Sequence, residues 1–513
     1  MSKLKSIATS IFSHWVLVLY NMVISFFLSP FIVNSLGDLY FGLWVTLIQF
    51  TSYMYLLDFG IRNTVVHRTA QAVGGKRHST LVYVIKSSMR LSTAIALLTL
   101  VASGILALVV PMFLGLEPDV EAEARIVIFI SGFTIAIAIW NNPNEGIIRG
   151  FGLFLLANSF GFFTLTLRTA LTVILLLQGY KIVALAIAQL TVSIIHVIFI
   201  RYMAARHLQK RGFRKGRRPL TRLRFIAMAR SVWNYSWSIL IDNISQKVIF
   251  TSDTIVISTI LSVPLVTFYA IANQLVEYLR RLIDSSMQVI IPIASEITGA
   301  RHNNDLKGLL IQSTRFTAWF SLPILVMYIV VGDTFVGLWM GPKYADPVRP
   351  ILMTLAITQI LAVQHYGITV VMRSLEKHKI IAHLRSGEAI VNVILSVILA
   401  KQIGLIGVAL GTAISHSIVT AIILPRIVTR ELNISYLSFI MPAYFKTAII
   451  CALIAGLAHW MNVYYTPESL AMFFLNMAVV AFAYIVLSYL VVLNGYERQA
   501  ISRRILSRLA PSK

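Results

Sequence analysis

A single cysteine, Cys451, stands in 513 residues, and only 20 residues are acidic. One thiol excludes a disulfide within the chain and any zinc cluster built on thiolates. Just 12% of residues carry charge against 58% that are hydrophobic, which rules out an ordinary soluble enzyme. Phosphate-gripping loops are missing too: Gly74-Gly75-Lys76 has neither the earlier glycine nor the following Ser or Thr of an ATP site. No outside loop is long enough to fold by itself, the longest, around 113–124 and 338–348, being about a dozen residues, so a separately folded catalytic domain has no room there.

What the chain does have is apolar runs long enough to cross a hydrocarbon core, which takes roughly 20 helical residues. They fall near 11–36, 40–62, 88–112, 125–147, 152–178, 182–204, 232–260, 264–290, 314–337, 349–372, 382–400, 403–426, 440–461 and 468–493. Lipid offers no hydrogen-bond partners, so each must be helical. The fold class is therefore an all-α integral membrane protein of about fourteen transmembrane helices. The start, with Lys3 and Lys5 before an apolar run, mimics a signal peptide, but the run is too long and no cleavage site follows.

The pattern runs through itself twice. Residues 10 to about 200 recur at about 235 to 427, shifted by 224 to 228 positions. Asp58 matches Asp284, Arg149 matches Arg373, and Val183-Ala184-Leu185 matches Val408-Ala409-Leu410. Two six-helix repeats plus two C-terminal helices result, the repeats related by a parallel pseudo-two-fold because each holds an even number of spans. The expected organisation is an N-lobe at 1–205, a basic cytoplasmic linker at 206–227, a C-lobe at 228–430, two further spans at 431–493 and a basic tail at 494–513. Duplicated apolar bundles are the layout of transporters, whose sites lie between the repeats.

A net charge of +24 invites a nucleic-acid reading, but its distribution points to a membrane. Of 44 Lys and Arg, only Arg125, Lys181, Lys343, Arg349 and Lys401 fall in or beside the loops after odd-numbered spans. Basic residues gather on the cytoplasmic side, which puts both termini there. Residues 206–224, with nine Lys or Arg, suit contact with anionic lipid headgroups. Nucleic acid is not an expected partner.

Charges inside spans are costly and usually face the bundle interior or a wet cavity. Cavity candidates for substrate are Arg168, Lys247, Arg280, Arg281 and Gln274; candidates for coupling or ion pairing are Asp58, Asp242, Glu277, Asp284 and Arg62. At about 100° per residue, Gln274, Glu277, Arg281 and Asp284 share one stripe, and Tyr55, Asp58 and Arg62 another. The competing reading makes Glu277 with Arg281 and Asp58 with Arg62 plain i, i+4 ion pairs that lock helices together. Arg168 stands apart: mid-span, with Thr164 and Thr172 on its face and Asn392 as its repeat partner, it needs an anion. Asp253 reads as a group near the outer end, and Gly407-x-x-x-Gly411 as close helix packing.

The residues Gly37 to Gly42 (GDLYFG), Asp253-Thr-Ile-Val-Ile257, Pro292 with Ser295 and Gly299, and Arg373-Ser-Leu-Glu-Lys377 resemble the Wzx-like polysaccharide repeat-unit flippases of the multidrug/oligosaccharidyl-lipid/polysaccharide exporter (MOP) superfamily. That resemblance implies a non-enzymatic, multi-pass protein of the bacterial inner membrane working by alternating access. Its substrate would be undecaprenyl-diphosphate-linked oligosaccharide for O-antigen, capsule or exopolysaccharide. Membrane lipids, a polysaccharide polymerase and a chain-length regulator are the implied partners, and no cofactor or metal is implied beyond coupling to protons or sodium. Basic cavity residues would hold the diphosphate, a role carried to Arg168, Lys247, Arg280 and Arg281. The alternative is a cation-coupled drug or metabolite antiporter of the same superfamily, with the acidic residues as binding groups.

Overall fold

The structure is a computed structural model that describes residues 3–58, 60–75, 78–211, 240–287, 290–299, 303–492 and 498. Among these residues every regular element is helical. In order they are α1 (Lys3–Ser52), a 3₁₀ turn (Tyr53–Asp58), α2 (Ile61–Gly74), α3 (His78–Phe113), α4 (Pro118–Gly150), α5 (Phe154–Leu177) and α6 (Lys181–Lys210). The helix α7 (Leu240–Leu261) ends in a π turn and leads to α8 (Leu265–Met287) and α9 (Ile290–Gly299). Then come α10 (Asn303–Val330), α11 (Gly332–Met340), α12 (Ala345–Ala362), α13 (Gln364–Ser374) and α14 (His378–Ile403). The chain closes with α15 (Leu405–Ser417), a π turn (Ile418–Ile423), α16 (Leu424–Glu431), α17 (Tyr436–Tyr464) and α18 (Leu470–Val491).

The inward side of α3 is rich in hydroxyls and its outward side is apolar. On α3, Ser92, Thr99 and Ser103 are fully buried, while Leu97, Val101, Ile105 and Met112 point outward. Such an apolar outer face at helical spacing has lipid as its natural partner, and two of the three buried hydroxyls find carbonyls instead of water. Ser103 donates to the Ile128 carbonyl on α4, and Thr99 to Ile95 one turn back. This is a multi-pass membrane protein.

Eleven helices are long and apolar enough to cross a membrane, or twelve if the α12–α13 pair, bent by 42°, is one span. Two places separate this from fourteen. The 50-residue α1 would be about 75 Å long, far beyond one crossing, and it breaks at Gly37, where φ of 73° and ψ of 174° leave the helical region. And α8 carries Glu277, Arg280, Arg281 and Asp284 in 23 residues, too many charges to pass as an ordinary span.

Left-handed backbone positions confirm the repeat independently of side chains. Gly115 (φ 58°) and Gly341 (φ 123°) lie 226 apart, Gly152 (φ 77°) and Glu376 (φ 59°) 224 apart, and Gly179 (φ 85°) and Gly404 (φ 66°) 225 apart. Each of these residues lies in the connection between two helices, where a positive φ lets the chain turn. The short helices α2 and α9 are also repeat counterparts, each following the polar end of a longer helix; they were not foreseen as helices. The expected span 314–337 divides, since Val331 (φ −130°) separates α10 from α11.

The chain forms two compact units, Met1–Ala270 and Ile271–Lys513. The helix α7 packs with the first, although the repeat puts it at the head of the second half. Thr251 donates to the Tyr53 hydroxyl at 2.8 Å, and a Cβ at Gly42 would lie 2.2 Å from the Val263 carbonyl oxygen. In the second unit, α17 and α18 pack on α10 through Leu325, Ile450, Ile454, Phe473 and Val480, and the Tyr484 hydroxyl donates to the Trp319 carbonyl. Ser435 and Ser469 cap the first turns of α17 and α18. α6 continues to Lys210, inside the stretch expected as a linker; the rest of that linker, from 212, and the tail from 499 lie outside the described residues.

Candidate functional site

The ten sequence-predicted residues divide evenly: Asp58, Arg62, Arg168, Asp242 and Lys247 belong to the first unit, and Gln274, Glu277, Arg280, Arg281 and Asp284 to the second.

In the first unit, Arg168 lies 14 residues into the 24-residue α5. It is exposed, and among the described residues it makes no hydrogen bond or ion pair. Its direction is informative. Leu155, Phe163, Ile174 and Leu177, exposed apolar residues of α5, cluster on one arc, with the less exposed Phe154 of the first turn outside it. At about 100° per residue Arg168 falls nearly opposite that arc, on the stripe of Gly161, Thr164 and Thr172. Gly161 sits against Leu17 of α1, and Asn158 donates to Ser13 of α1 at 2.9 Å. The guanidinium therefore projects away from the lipid-facing arc, along the side that α1 borders. An accessible but partnerless cation at mid-helix is what a binding residue looks like before its anion arrives.

Arg62 does not pair with Asp58. It reaches Glu145 on α4 at 3.5 Å, and His196 on α6 approaches the other oxygen of that carboxylate at 3.0 Å. Asp58, at the end of the 3₁₀ turn, accepts instead from the Asn142 amide at 2.6 Å. The 3₁₀ turn is the reason: it rotates Asp58 out of the α-helical register that an i, i+4 pair requires, and Gly60 (φ 69°) separates the two residues further. Glu145 thus ties α2, α4 and α6 together. Asp242 accepts from Gln246 one turn along α7 at 3.1 Å. Asp253 is buried and accepts from the Tyr269 hydroxyl, which makes it a structural acid of the first unit.

In the second unit, Glu277 is gripped by both arginines of α8: Arg280 at i+3, and Arg281 at i+4 and 3.5 Å. The two cations differ in environment. The Arg280 side chain is 10% exposed, whereas that of Arg281 is 58% exposed and free to meet something besides Glu277. Gln274 donates to the Tyr278 hydroxyl. Asp284 is exposed and lies within the field of Arg280 on its own helix, Arg373 on α13 and Arg385 on α14.

A further polar group in this unit was not foreseen. Glu388 on α14 and His416 on α15 are buried and hydrogen-bonded, Nδ1 to Oε1 at 2.6 Å. His365 on α13 accepts from the Arg385 guanidinium at 2.9 Å, and its ring centre lies 6.2 Å from that of His416. One turn further along α14, the Asn392 amide donates to the Thr412 hydroxyl at 2.8 Å. The signal was present: the membrane-cost argument that selected Arg168 applies equally to Arg385 and Glu388 in the 382–400 run and to His416 in the 403–426 run.

Residues 36–349 match the polysaccharide biosynthesis protein family. The chain belongs to that family. Among curated protein sequences none matches it. Solved structures similar to this member include a lipid II flippase, MurJ, in an inward closed conformation, with a TM-score of 0.69 at 15% identity, covering 93% of this chain and 97% of that one. An inward-facing multidrug resistance MATE family transporter of the MOP superfamily gives 0.63 at 15% identity over 81% and 95%. The eukaryotic MATE transporter AtDTX14 gives 0.59 at 17% over 87% and 98%. The fold of this family member is accordingly that of MOP-superfamily transporters. Among the described residues no group of three or more His, Cys, Asp or Glu is gathered as a metal ion would need.

Proposed function

We propose that this protein flips undecaprenyl-diphosphate-linked oligosaccharide repeat units from the cytoplasmic to the periplasmic face of the bacterial inner membrane, supplying O-antigen, capsule or exopolysaccharide synthesis. Membership of a polysaccharide biosynthesis family on a MOP-type fold supports a transporter, not an enzyme, and favours a lipid-linked glycan over a drug cation. Fourteen crossings with both termini cytoplasmic fit the charge distribution.

The observation that carries the reading is Arg168: a lone guanidinium at the middle of α5, accessible, turned from lipid and without an anion of its own. A diphosphate supplies that anion, and the planar fork of arginine matches its oxygens. In the second unit Arg281, the more exposed of the two arginines on α8, is a separate candidate cation for the headgroup, with Arg280 and Gln274 as supporting groups there and Lys247 in the first unit. The glycan headgroup travels in the aqueous path and the lipid tail stays in the bilayer. Alternating access then requires the two facing states to differ in affinity for the headgroup.

Alanine at Arg168 and at Arg281, with expression verified, tests this in cells that depend on the protein for surface glycan. Each substitution should cut surface glycan at least tenfold. Wild-type glycan in both would remove these arginines from the mechanism.

A further inference from the structure

The repeat partners α5 and α14 carry costly groups at equivalent repeat positions but in opposite fashion. Where α5 presents Thr164 and an accessible Arg168, α14 has Glu388 and Asn392, both buried. Glu388 lies ten residues into the 26-residue α14, and His416 eleven residues beyond the start of α15. Glu388 thus lies well inside α14, and His416 near the middle of the continuous helical run Leu405–Glu431, where water has least access and an ionised group needs a reason to be there.

An ion pair kept only for stability gains little over apolar packing, because desolvation offsets the attraction. An imidazole–carboxylate pair differs from an arginine–carboxylate pair in one respect: its cation can surrender its proton near neutral pH. The surroundings permit both charge states. His365 must be neutral, because its Nε2 accepts from Arg385, whose guanidinium can only donate. With Arg385 positive and Glu388 negative, a proton on His416 makes this string +1 and its loss makes it neutral. The further charges facing it are Arg373 on α13 and, on α8, Asp284, which neighbours Arg385, with Glu277 and Arg280 behind. With Arg373 and Asp284 included, the cluster is neutral while His416 is neutral and carries +1 when it is protonated, and in both states each carboxylate has a cation near it.

His416 also stands at a joint. The π turn Ile418–Ile423 begins two residues later, and Thr420 within it donates to the His416 carbonyl at 2.6 Å. Pro425 follows in the first turn of α16, where it offers no N–H to the ladder. A π turn and a proline two residues beyond its end, in an otherwise continuous helix, mark a segment with two competing hydrogen-bond registers.

We propose that Glu388 and His416 form a proton-binding site in the second unit, whose occupancy sets the bend of α15–α16 at this π turn. One proton passes from water to the imidazole, converting a neutral ring beside a carboxylate into an imidazolium–carboxylate pair, and returns to water on release. As the coupling step of transport the site rests on the flippase reading; as a proton site it does not.

Hydrogen exchange of the full-length protein in lipid nanodiscs, from pH 5.5 to 8.0 and corrected for intrinsic exchange, tests the site without any transport. Peptides from 411–431 should show a sigmoidal step of several-fold in protection, while 436–464 stays flat. His416→Gln should abolish the step. Glu388→Gln, which removes the stabilising carboxylate, should move it to lower pH by about one unit or more. A wild-type protein without a step overturns the proposal whatever the variants do, as does a step left in place by either substitution. Liposome flipping of labelled lipid-linked sugar is measured separately, and its absence in a protein that shows the step would overturn the transport reading alone.

Discussion

Glu145 is the residue on which three helices of the first unit converge, and its loss should be felt through both partners. Arg62 and His196 would each lose the acceptor that fixes them, at a cost of about 1–3 kcal/mol for a partly buried site. Glu145→Ala should therefore lower the thermal unfolding midpoint in detergent, and Glu145→Gln should lower it less, since the amide oxygen still accepts one bond. The sequence made Arg62 stand out but gave it the wrong partner. Asp58 lies at i−4, the arithmetic of a continuous helix, and only the 3₁₀ turn with Gly60 takes Asp58 out of reach. Arg168 was legible because no local partner existed to be misjudged. Its mid-span position and the two threonines on its face are properties of one helix, and helix periodicity fixes them.

At the scale of elements, α15 packs backbone to backbone against α14. A Cβ at Gly411 would stand 2.6 Å from the Ser396 backbone nitrogen, and one at Gly407 2.1 Å from the Leu399 carbonyl oxygen. Backbone cannot step aside as a side chain can, so Gly411→Val should force the two helices apart. The expected loss is about 1–3 kcal/mol or more, visible as a lowered unfolding midpoint. It should also disturb the neighbouring Asn392–Thr412 hydrogen bond and, by extension, the Glu388–His416 pair. The G-x-x-x-G spacing announced this packing from sequence alone, because small residues four apart leave a groove on one face of a helix. The bends were not announced. Between α12 and α13 the helix turns by 42° without a glycine or proline at the break, and the π turns after Val256 and Ser417 insert a register shift that apolar periodicity does not record.

For the whole molecule, the consequential expectation is topology. With basic residues collected at one face, the turn at Gly115 and the turn at Gly341 should both be periplasmic, and the segment after Lys210 cytoplasmic. Alkaline phosphatase fused after Leu114 and after Met340 should be active, and a fusion after Lys210 inactive. An active fusion at the last position would reverse the orientation and with it the proposed direction of flipping.

The amino-acid sequence alone determined that this is a bundle of membrane helices, that its pattern is doubled, and which charges are too costly to be idle. Those conclusions follow from composition and period, because lipid forces every spanning segment into a hydrogen-bonded helix whatever its neighbours. The repeat register survives in the backbone as left-handed turns 224 to 226 residues apart. Tertiary structure decided which charge meets which. The bonds from Arg62 to Glu145, Asn142 to Asp58, Arg385 to His365 and His416 to Glu388 join residues on different elements. Their pairing depends on helix rotation and crossing, which packing of all the helices in a unit sets together and no single helix encodes.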